Sequence, residues 1–599
     1  MKETTKFQIL YCKNEQIDLK YLEKQFVPSS LDTDYNYNPF LIQNIQNYQP
    51  IYSLYFDSNS TNHETHGLNQ NYQLIDLQTV LDTTNNSKKE TSVFIKYSPL
   101  LDPIRYMIGK YDYNDDSIRT LPTYHSTEST CHKKLFTSNN ASYIDGFFSF
   151  LSSKLLHTHG FQNGIDYYGT YFGIQEKFKM NISDDYEYLS ESNFFLENTG
   201  KHFEVTKNMS AFQMNNNNSR CNKKKLQISQ SSNLHNISVS EFEYDILPEI
   251  DTNNENMSVV FEKENNPNDG ENKSESDSDT SNENNSDEDN DDDDEDNEDE
   301  DEDEDDEDNE DEDEDTDDED EDDDEEDDDE DEEDEEDEED EEDEEEEEEN
   351  IYAYINNFPV QMICLEKCDG TLDDLFEAGD VDDIQGASIL FQIIMILIVY
   401  QKAFHFTHND LHTNNIMFIN TDIEYLYYKF DKIWYKVPTY GRIFKIIDFG
   451  RSIYKFQGQL LCSDSFATGG DAATQYNFEP FYNSKKTIIE PNYSFDLCRL
   501  GTSIYDFIID DNESIQSMDE LQKTIVRWCK DDLGKNVLYK KNGEERYPNF
   551  KLYKMIARTV HKHTPQKQLE YSYFNQFAFT PKNKKSITVM NIDKIPSYV

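Results

Sequence analysis

Between Asp287 and Glu349 the chain runs for 63 residues with four that are not acidic: Asn290, Asn297, Asn309 and Thr316. Carboxylates at this density repel one another, and nothing apolar is present to offset chain entropy, so no core can form through the run. Folding must happen on either side of it. The Asn- and Ser-rich sequence upstream ("NNNNSRCNKKK", "SESDSDTSNENNS") has the same character and extends the expected disorder to 205–350. The formal net charge of −76 is mostly this insertion. Without its 59 acids the chain holds 69 Asp+Glu against 52 Lys+Arg, a net of −17, which is an ordinary, mildly acidic protein. The plainest reading of the run is a solvated spacer. Its field would also attract basic proteins and repel nucleic acid, so basic proteins are the partner class it suits and direct nucleic-acid binding is not expected. The serines within 274–286 sit among acids and are candidates for phosphorylation.

The eight cysteines are scattered without a CxxC pair, which suits reduced thiols in an intracellular compartment. The start, "MKETTKFQIL", lacks the apolar core of a signal peptide. The longest apolar stretch, 387–400, has 14 residues with Gln392 inside it. It is too short to span a bilayer and reads as a buried core helix, so no membrane partner is expected. Five zones result: 1–90, unassigned or part of a small lobe; 91–204, the first part of that lobe; 205–350, the insertion; 351–575, the larger folded part; and a tail, 576–599. Helical spacing of Ile144, Phe147, Phe148, Leu151 and Leu155 predicts an amphipathic helix over 142–156. Strands are predicted at 359–366, 415–420 and 442–448, helices at 387–404 and 494–509, and a hairpin within 421–441. Strands come first and helices dominate later, which predicts an α+β chain in two lobes.

The chemistry is concentrated in two loops. "HNDLHTNNIM" (408–417) lies between the apolar helix and a strand, where rigid elements position polar side chains. Asp410 can orient a hydroxyl, and Asn415, five residues on, can offer an amide oxygen to a metal ion. In "KIIDFGRS" (445–452) an apolar strand delivers Asp448 to its end and Phe449-Gly450 turn the chain.

The order Asp410, Asn415, Asp448 resembles the catalytic and metal-binding loops of the protein-kinase-like superfamily. The style of "VFIKYSPLLDP" and "VPTYGRIFKIIDFGRSIY" is most similar to the serine/threonine-kinase-like proteins of giant DNA viruses of the mimivirus kind. The resemblance covers roughly 90–205 and 355–510. It implies a two-lobed protein-kinase-like fold with the acidic insertion in the small lobe. It implies ATP and Mg2+ as cofactors and a protein Ser/Thr hydroxyl as acceptor, in a viral protein of the host cytoplasm or the virion. Asp410 would orient and deprotonate the acceptor, and Asn415 and Asp448 would hold Mg2+. Lys96 in "SVFIKYSP" would pair with the α/β-phosphates and Asp145 would be its partner. Leu365 would guard the back of the adenine pocket, with the backbone of Glu366 to Cys368 as the hinge. Asp496 matches the structural Asp of the large-lobe central helix.

The chain also departs from the family pattern. Asn409 replaces the Arg that grips a phosphorylated activation loop. His412 stands where Ser/Thr kinases carry a Lys, and it reads equally as a phosphate contact or a loop polar residue. No G-x-G-x-x-G precedes Lys96, so the phosphate cradle is unaccounted for. Asp145 is one methylene shorter than the usual Glu and reads equally as a helix N-terminal acid. Two other functions therefore stand beside the leading one: a small-molecule, aminoglycoside-type phosphotransferase, and a pseudokinase scaffold that binds basic proteins through its acidic insertion.

Overall fold

The nearly continuous apolar run over 352–366 makes one long strand, buried on both faces along most of its length, and the fold is organised around it. The computed structural model describes residues 6–13, 17–56, 66–206, 350–509, 516–582 and 588–599. The acidic run and nearly all of the expected disordered stretch lie outside the described residues. What is described is a mixed α+β unit with several small antiparallel sheets.

The largest sheet contains β1 (Ile42–Gln46), β2 (Val93–Pro99), β3 (Tyr167–Asn181), β4 (Phe203–Val205) and β5 (Tyr352–Glu366). Its order is β1-β3-β5-β2, with β4 also paired to β5, and every pairing is antiparallel. Lys96 on β2 lies opposite Ile363 on β5, and Phe94 lies opposite Leu365. The insertion leaves and returns at one place on this sheet. Thr206 N donates to Tyr352 O at 3.0 Å, and Tyr352 N donates to Thr206 Oγ1 at 3.0 Å. Between two neighbouring strand ends, the entropic cost of closing a loop grows only slowly with its length.

Helix α1 (Ala141–His159) packs across this sheet. Asn140 caps it by accepting from Ser142 N at 3.0 Å, and Gly160 ends it at φ +66°, a left-handed turn that glycine adopts without a Cβ penalty. Gly146 permits the close approach to β5: a Cβ there would meet Gln361 Nε2 at 2.6 Å. Helix α2 (Asp383–Phe404) is long and apolar enough to cross a membrane, yet 94% of its apolar window is buried inside the protein. It is longer than the predicted 387–404. Gln392, the polar residue in its apolar run, accepts from Asn163 Nδ2 and Phe444 N, both at 3.1 Å.

Beyond α2, β6 (Ile416–Asn420) pairs antiparallel with β9 (Arg442–Ile446), and between them the predicted hairpin forms from β7 (Tyr425–Phe430) and β8 (Ile433–Pro438). Helices α3 (Phe495–Ile508) and α4 (Lys551–Thr559) follow.

The two chain regions without a sequence signal are built into this unit. Ile42–Gln46 supplies the β1 edge of the main sheet. The 576–599 tail pairs Phe579 with Trp434 on β8 and Met590 with Tyr428 on β7, and Tyr598 stacks on Phe7 at 4.1 Å. The seven described cysteines are free thiols.

Candidate functional site

Lys96, Asp145 and Asp448 come from β2, α1 and the loop after β9, and they meet. The Lys96 ammonium lies 2.8 Å from Asp145 Oδ2 and 2.8 Å from Asp448 Oδ1. Asp145 uses its other oxygen to accept Phe449 N at 3.0 Å, so one carboxylate ties the helix to both the lysine and the loop. Asp145 lies beyond the first turn of α1 and is only 2% exposed, so it is a buried partner of Lys96 and not a helix N-terminal acid. Burial alone would lower the lysine's pKa, but the two carboxylates outweigh it and hold Lys96 above its ordinary value. Burial pushes Asp145 up, whereas Lys96 holds Asp448 down against the same burial. Asp448 sits at φ +60°, a left-handed conformation that L side chains adopt at a cost and that recurs at functional loops.

Asp410 and Asn415 are joined through the backbone of their loop. Asn415 Nδ2 donates to Asp410 O at 2.9 Å and to His412 Nε2 at 3.1 Å. Both amide hydrogens are thereby used, and Asn415 Oδ1 is left as an acceptor. Asp448 Oδ2 likewise has no partner among the described residues, since both the Lys96 and the Gly450 contacts go to Oδ1. The two loops are stitched together by Ile447 N donating to Asn415 O at 3.0 Å. These two oxygens suit a hard cation that also takes oxygens from a ligand. Among the described residues no group of three or more His, Cys, Asp or Glu is placed to hold a metal ion.

The start of the 408–417 loop is fixed from below by Asp496 on α3. Its carboxylate, fully buried, accepts His408 N at 2.9 Å and Asn409 N at 2.9 Å. His408 Nε2 lies 2.9 Å from Ile447 O, which suits a structural histidine. Asn409, at φ +66°, donates to Arg451 O at 2.9 Å and accepts from Tyr476 OH at 2.8 Å. It therefore serves as a buried loop anchor. Burial lowers His412 to about 4, so the imidazole is neutral near neutral pH.

Two further residues contact Asp410, and a third holds one of them. Tyr553 OH on α4 donates to Asp410 Oδ1 at 2.7 Å, and Arg451 Nη1 lies 3.4 Å from Asp410 Oδ2. Arg499 Nε on α3 donates to Tyr553 OH at 2.7 Å. Burial would raise the Asp410 carboxyl, yet Arg451, His412 and Arg499 hold it well below the usual carboxylate range. Arg451 stands within the "KIIDFGRS" motif and could have been noticed there. Tyr553 is 143 residues from Asp410 and lies in no motif.

The expected hinge is partly committed to the protein itself. Glu366 N donates to Asp166 O at 3.1 Å and Lys367 N to Ser92 O at 3.1 Å. The Glu366 side chain accepts Asp166 N at 2.7 Å and pairs with the buried Lys445 ammonium. Of the three hinge positions, only Cys368 has an N–H without a hydrogen-bond partner among the described residues. Of the Glu366–Cys368 stretch expected as a hinge, two of the three N–H groups are therefore taken by the protein itself. Leu365 is buried at the end of β5, two residues beyond the partner of Lys96. Strand β2 is the edge of its sheet, and the small sheet of Tyr72–Asp76, Thr79–Asp82 and Ser87–Glu90 precedes it without pairing to it. A scan against protein-family models finds no match for this chain, and a search of curated proteins finds no relative.

Proposed function

We propose that the protein is an ATP- and Mg2+-dependent phosphotransferase of protein-kinase-like, two-lobed fold that acts on protein Ser/Thr hydroxyls. The observation that carries this reading is the meeting of Lys96, Asp145 and Asp448 at 2.8 Å contacts. A buried lysine held charged by two carboxylates is costly unless a polyanion or a metal uses the arrangement. Beside it lies a loop that carries an ionised Asp410 and an Asn415 whose amide oxygen is left for a ligand.

In this reading Lys96 meets the α/β-phosphates and the Cys368 N–H faces the base. Asn415 Oδ1 and Asp448 Oδ2 are the protein oxygens that would hold Mg2+, which supplies charge neutralisation at the phosphates when bound. The acceptor oxygen forms a bond to the γ-phosphorus while the bond from that phosphorus to the β–γ bridging oxygen breaks, and ADP leaves with the electron pair. Asp410 accepts the acceptor's hydrogen bond, orients its lone pair and takes the proton as the new P–O bond forms. A carboxylate held well below its ordinary pKa is a weak base. Its main contribution is therefore orientation, which suits a loose transition state in which proton loss is late.

The test is transfer of labelled phosphate from Mg-ATP to a generic protein substrate by the full chain and by Asp410→Asn. Labelling by the wild type and a fall of at least about 100-fold in the variant are expected. Equal labelling by both removes Asp410 from the mechanism. Transfer to aminoglycosides or sugars with none to protein would replace the acceptor class. No thermal shift with millimolar Mg-ATP would leave a non-enzymatic scaffold.

A further inference from the structure

We propose that Tyr553 and Arg451 are positioning residues that hold the Asp410 carboxylate in place for an acceptor hydroxyl; this rests on the phosphotransfer reading above. Each contacts one of the two carboxylate oxygens: Tyr553 OH reaches Oδ1 at 2.7 Å, and Arg451 Nη1 reaches Oδ2 at 3.4 Å. Each is itself restrained. Tyr553 OH accepts Arg499 Nε at 2.7 Å, and the Arg499 guanidinium lies 5.0 Å from the Tyr553 ring centroid. Arg451 places Nε at 3.0 Å and Nη2 at 2.6 Å from Asp471 Oδ2, so a carboxylate twenty residues further along the chain fixes its fork. The result is a chain of contacts, Arg499 to Tyr553 to Asp410 to Arg451 to Asp471, drawn from α3, α4, the two loops and the later loop that carries Asp471.

A tyrosine hydroxyl on the orienting carboxylate could instead be a plug that occupies the acceptor's place. Its setting argues against that. Tyr553 is 6% exposed and belongs to a regular helix, and its ring packs against Phe550 at 5.4 Å and Phe495 at 6.2 Å. A plug must withdraw, and withdrawing this ring would unpack α4 from α3. A carboxylate has about four lone-pair sites, and two inward contacts leave room for an incoming hydroxyl. The same chain explains how the loop stays ordered with Asn409 where a phosphate-gripping arginine would stand. Arg451 is gripped by the carboxylate of Asp471, and no added phosphate is required for that contact.

The experiment measures kcat, the KM for ATP and the KM for the acceptor with the full chain, for wild type, Tyr553→Phe, Arg451→Lys, Asp410→Asn and the Asp410→Asn/Tyr553→Phe double variant. Thermal midpoints are read in parallel. Tyr553→Phe keeps the ring and its packing and removes only the hydroxyl. A fall in kcat of between about 10- and 100-fold with the KM for ATP unchanged is expected. In the Asp410→Asn background the same substitution should cause no further fall, because Tyr553 acts through Asp410. Arg451→Lys keeps the charge but cannot bridge Asp410 and Asp471, and it should give the same split between kcat and KM. An unchanged or raised kcat in Tyr553→Phe, or an equal loss in both backgrounds, overturns the proposal while the phosphotransfer reading stands. Absence of transfer by the wild type overturns that reading, and the proposal falls with it.

Discussion

Lys96 and Lys154 are both buried at helix α1, and they differ in what surrounds their ammonium groups. Lys96, on the strand beneath the helix, is 6% exposed, and Lys154, two turns beyond Asp145, is 7% exposed. Lys96 is flanked by two carboxylates at 2.8 Å and is held above its ordinary pKa. Lys154 donates to neutral acceptors, the Asn69 carbonyl and Asn71 Oδ1, with its ammonium 5.4 Å from the Phe150 ring centroid. Burial lowers it to about 8. Burial therefore lowers a lysine's pKa, and at Lys96 two acids from distant elements outweigh it. Such an investment marks a site, whereas Lys154 reads as packing.

The sharpest way to break that contrast is to remove Lys96. Lys96→Met leaves Asp145 and Asp448 buried side by side without a cation. A loss of about 3–5 kcal/mol in urea unfolding is expected, together with loss of phosphate transfer by about 100-fold or more. A loss below about 1 kcal/mol would mean that the carboxylates had never depended on the lysine. Asp145→Asn is milder, because Asp448 still faces the ammonium and the amide can still accept Phe449 N. About 1.5–3 kcal/mol is expected. Lys96 should also become more reactive to acetylation at neutral pH, which peptide mass spectrometry would read, as its environment moves toward that of Lys154. Unchanged reactivity would show that Asp448 alone holds the charge. Gly146→Ala tests whether helix position matters to the site. The new Cβ would press on Gln361 Nε2, the flexible end of a side chain that also donates to Ser142 O at 2.6 Å. About 1 kcal/mol is expected, at the low end of overpacking. Phosphate transfer should fall more steeply than stability if the shift separates Asp145 from Lys96.

How far these positions were legible depends on how local their contacts are. Asp410, Asn415 and Asp448 could be read because short loops between a helix and strands fix where side chains go, and the two loops lie on strands that pair. Asp145 could not be settled from sequence, since its carboxylate sits beside the apolar stripe of α1 and either a solvent or an inward direction suits that spacing. Gly146 beside it was the unused signal, because a glycine inside a helix marks a close approach. Tyr553, Arg499 and Asp471 were not legible at all. Tyr553 and Arg499 reach Asp410 through the packing of α3 and α4, which no sequence period encodes, and Asp471 reaches Arg451 from a loop that carries no pattern. The hinge was read too generously, because its N–H groups at Glu366 and Lys367 are claimed by Asp166 and Ser92. The two-residue strands of the tail, Ala578–Phe579 and Met590–Asn591, are too short to show any alternation.

The smallest expected effect comes from Lys154 and tests the other side of the comparison. Its pKa of about 8 in the folded chain lies below the roughly 10.4 of an unfolded lysine. Between these values the unfolded chain binds more protons, so this group makes stability rise with pH across that window. Below about pH 8 the lysine is charged in both states, and its burial costs the fold its full penalty. Lys154→Met removes the titration and keeps the aliphatic body against Phe150. The urea midpoint of the wild type minus that of the variant should therefore increase from pH 8 to about 10.4 and be flat between pH 6 and 7.5. The difference is the proper readout, because the tyrosines and cysteines with raised pKa values titrate in both proteins alike, apart from Cys12, whose thiol faces Lys154 and which is replaced by Ser in both proteins. A flat difference across the whole range would place Lys154 with Lys96, as a lysine held charged, and would remove the ground for treating two carboxylates as the mark of a site.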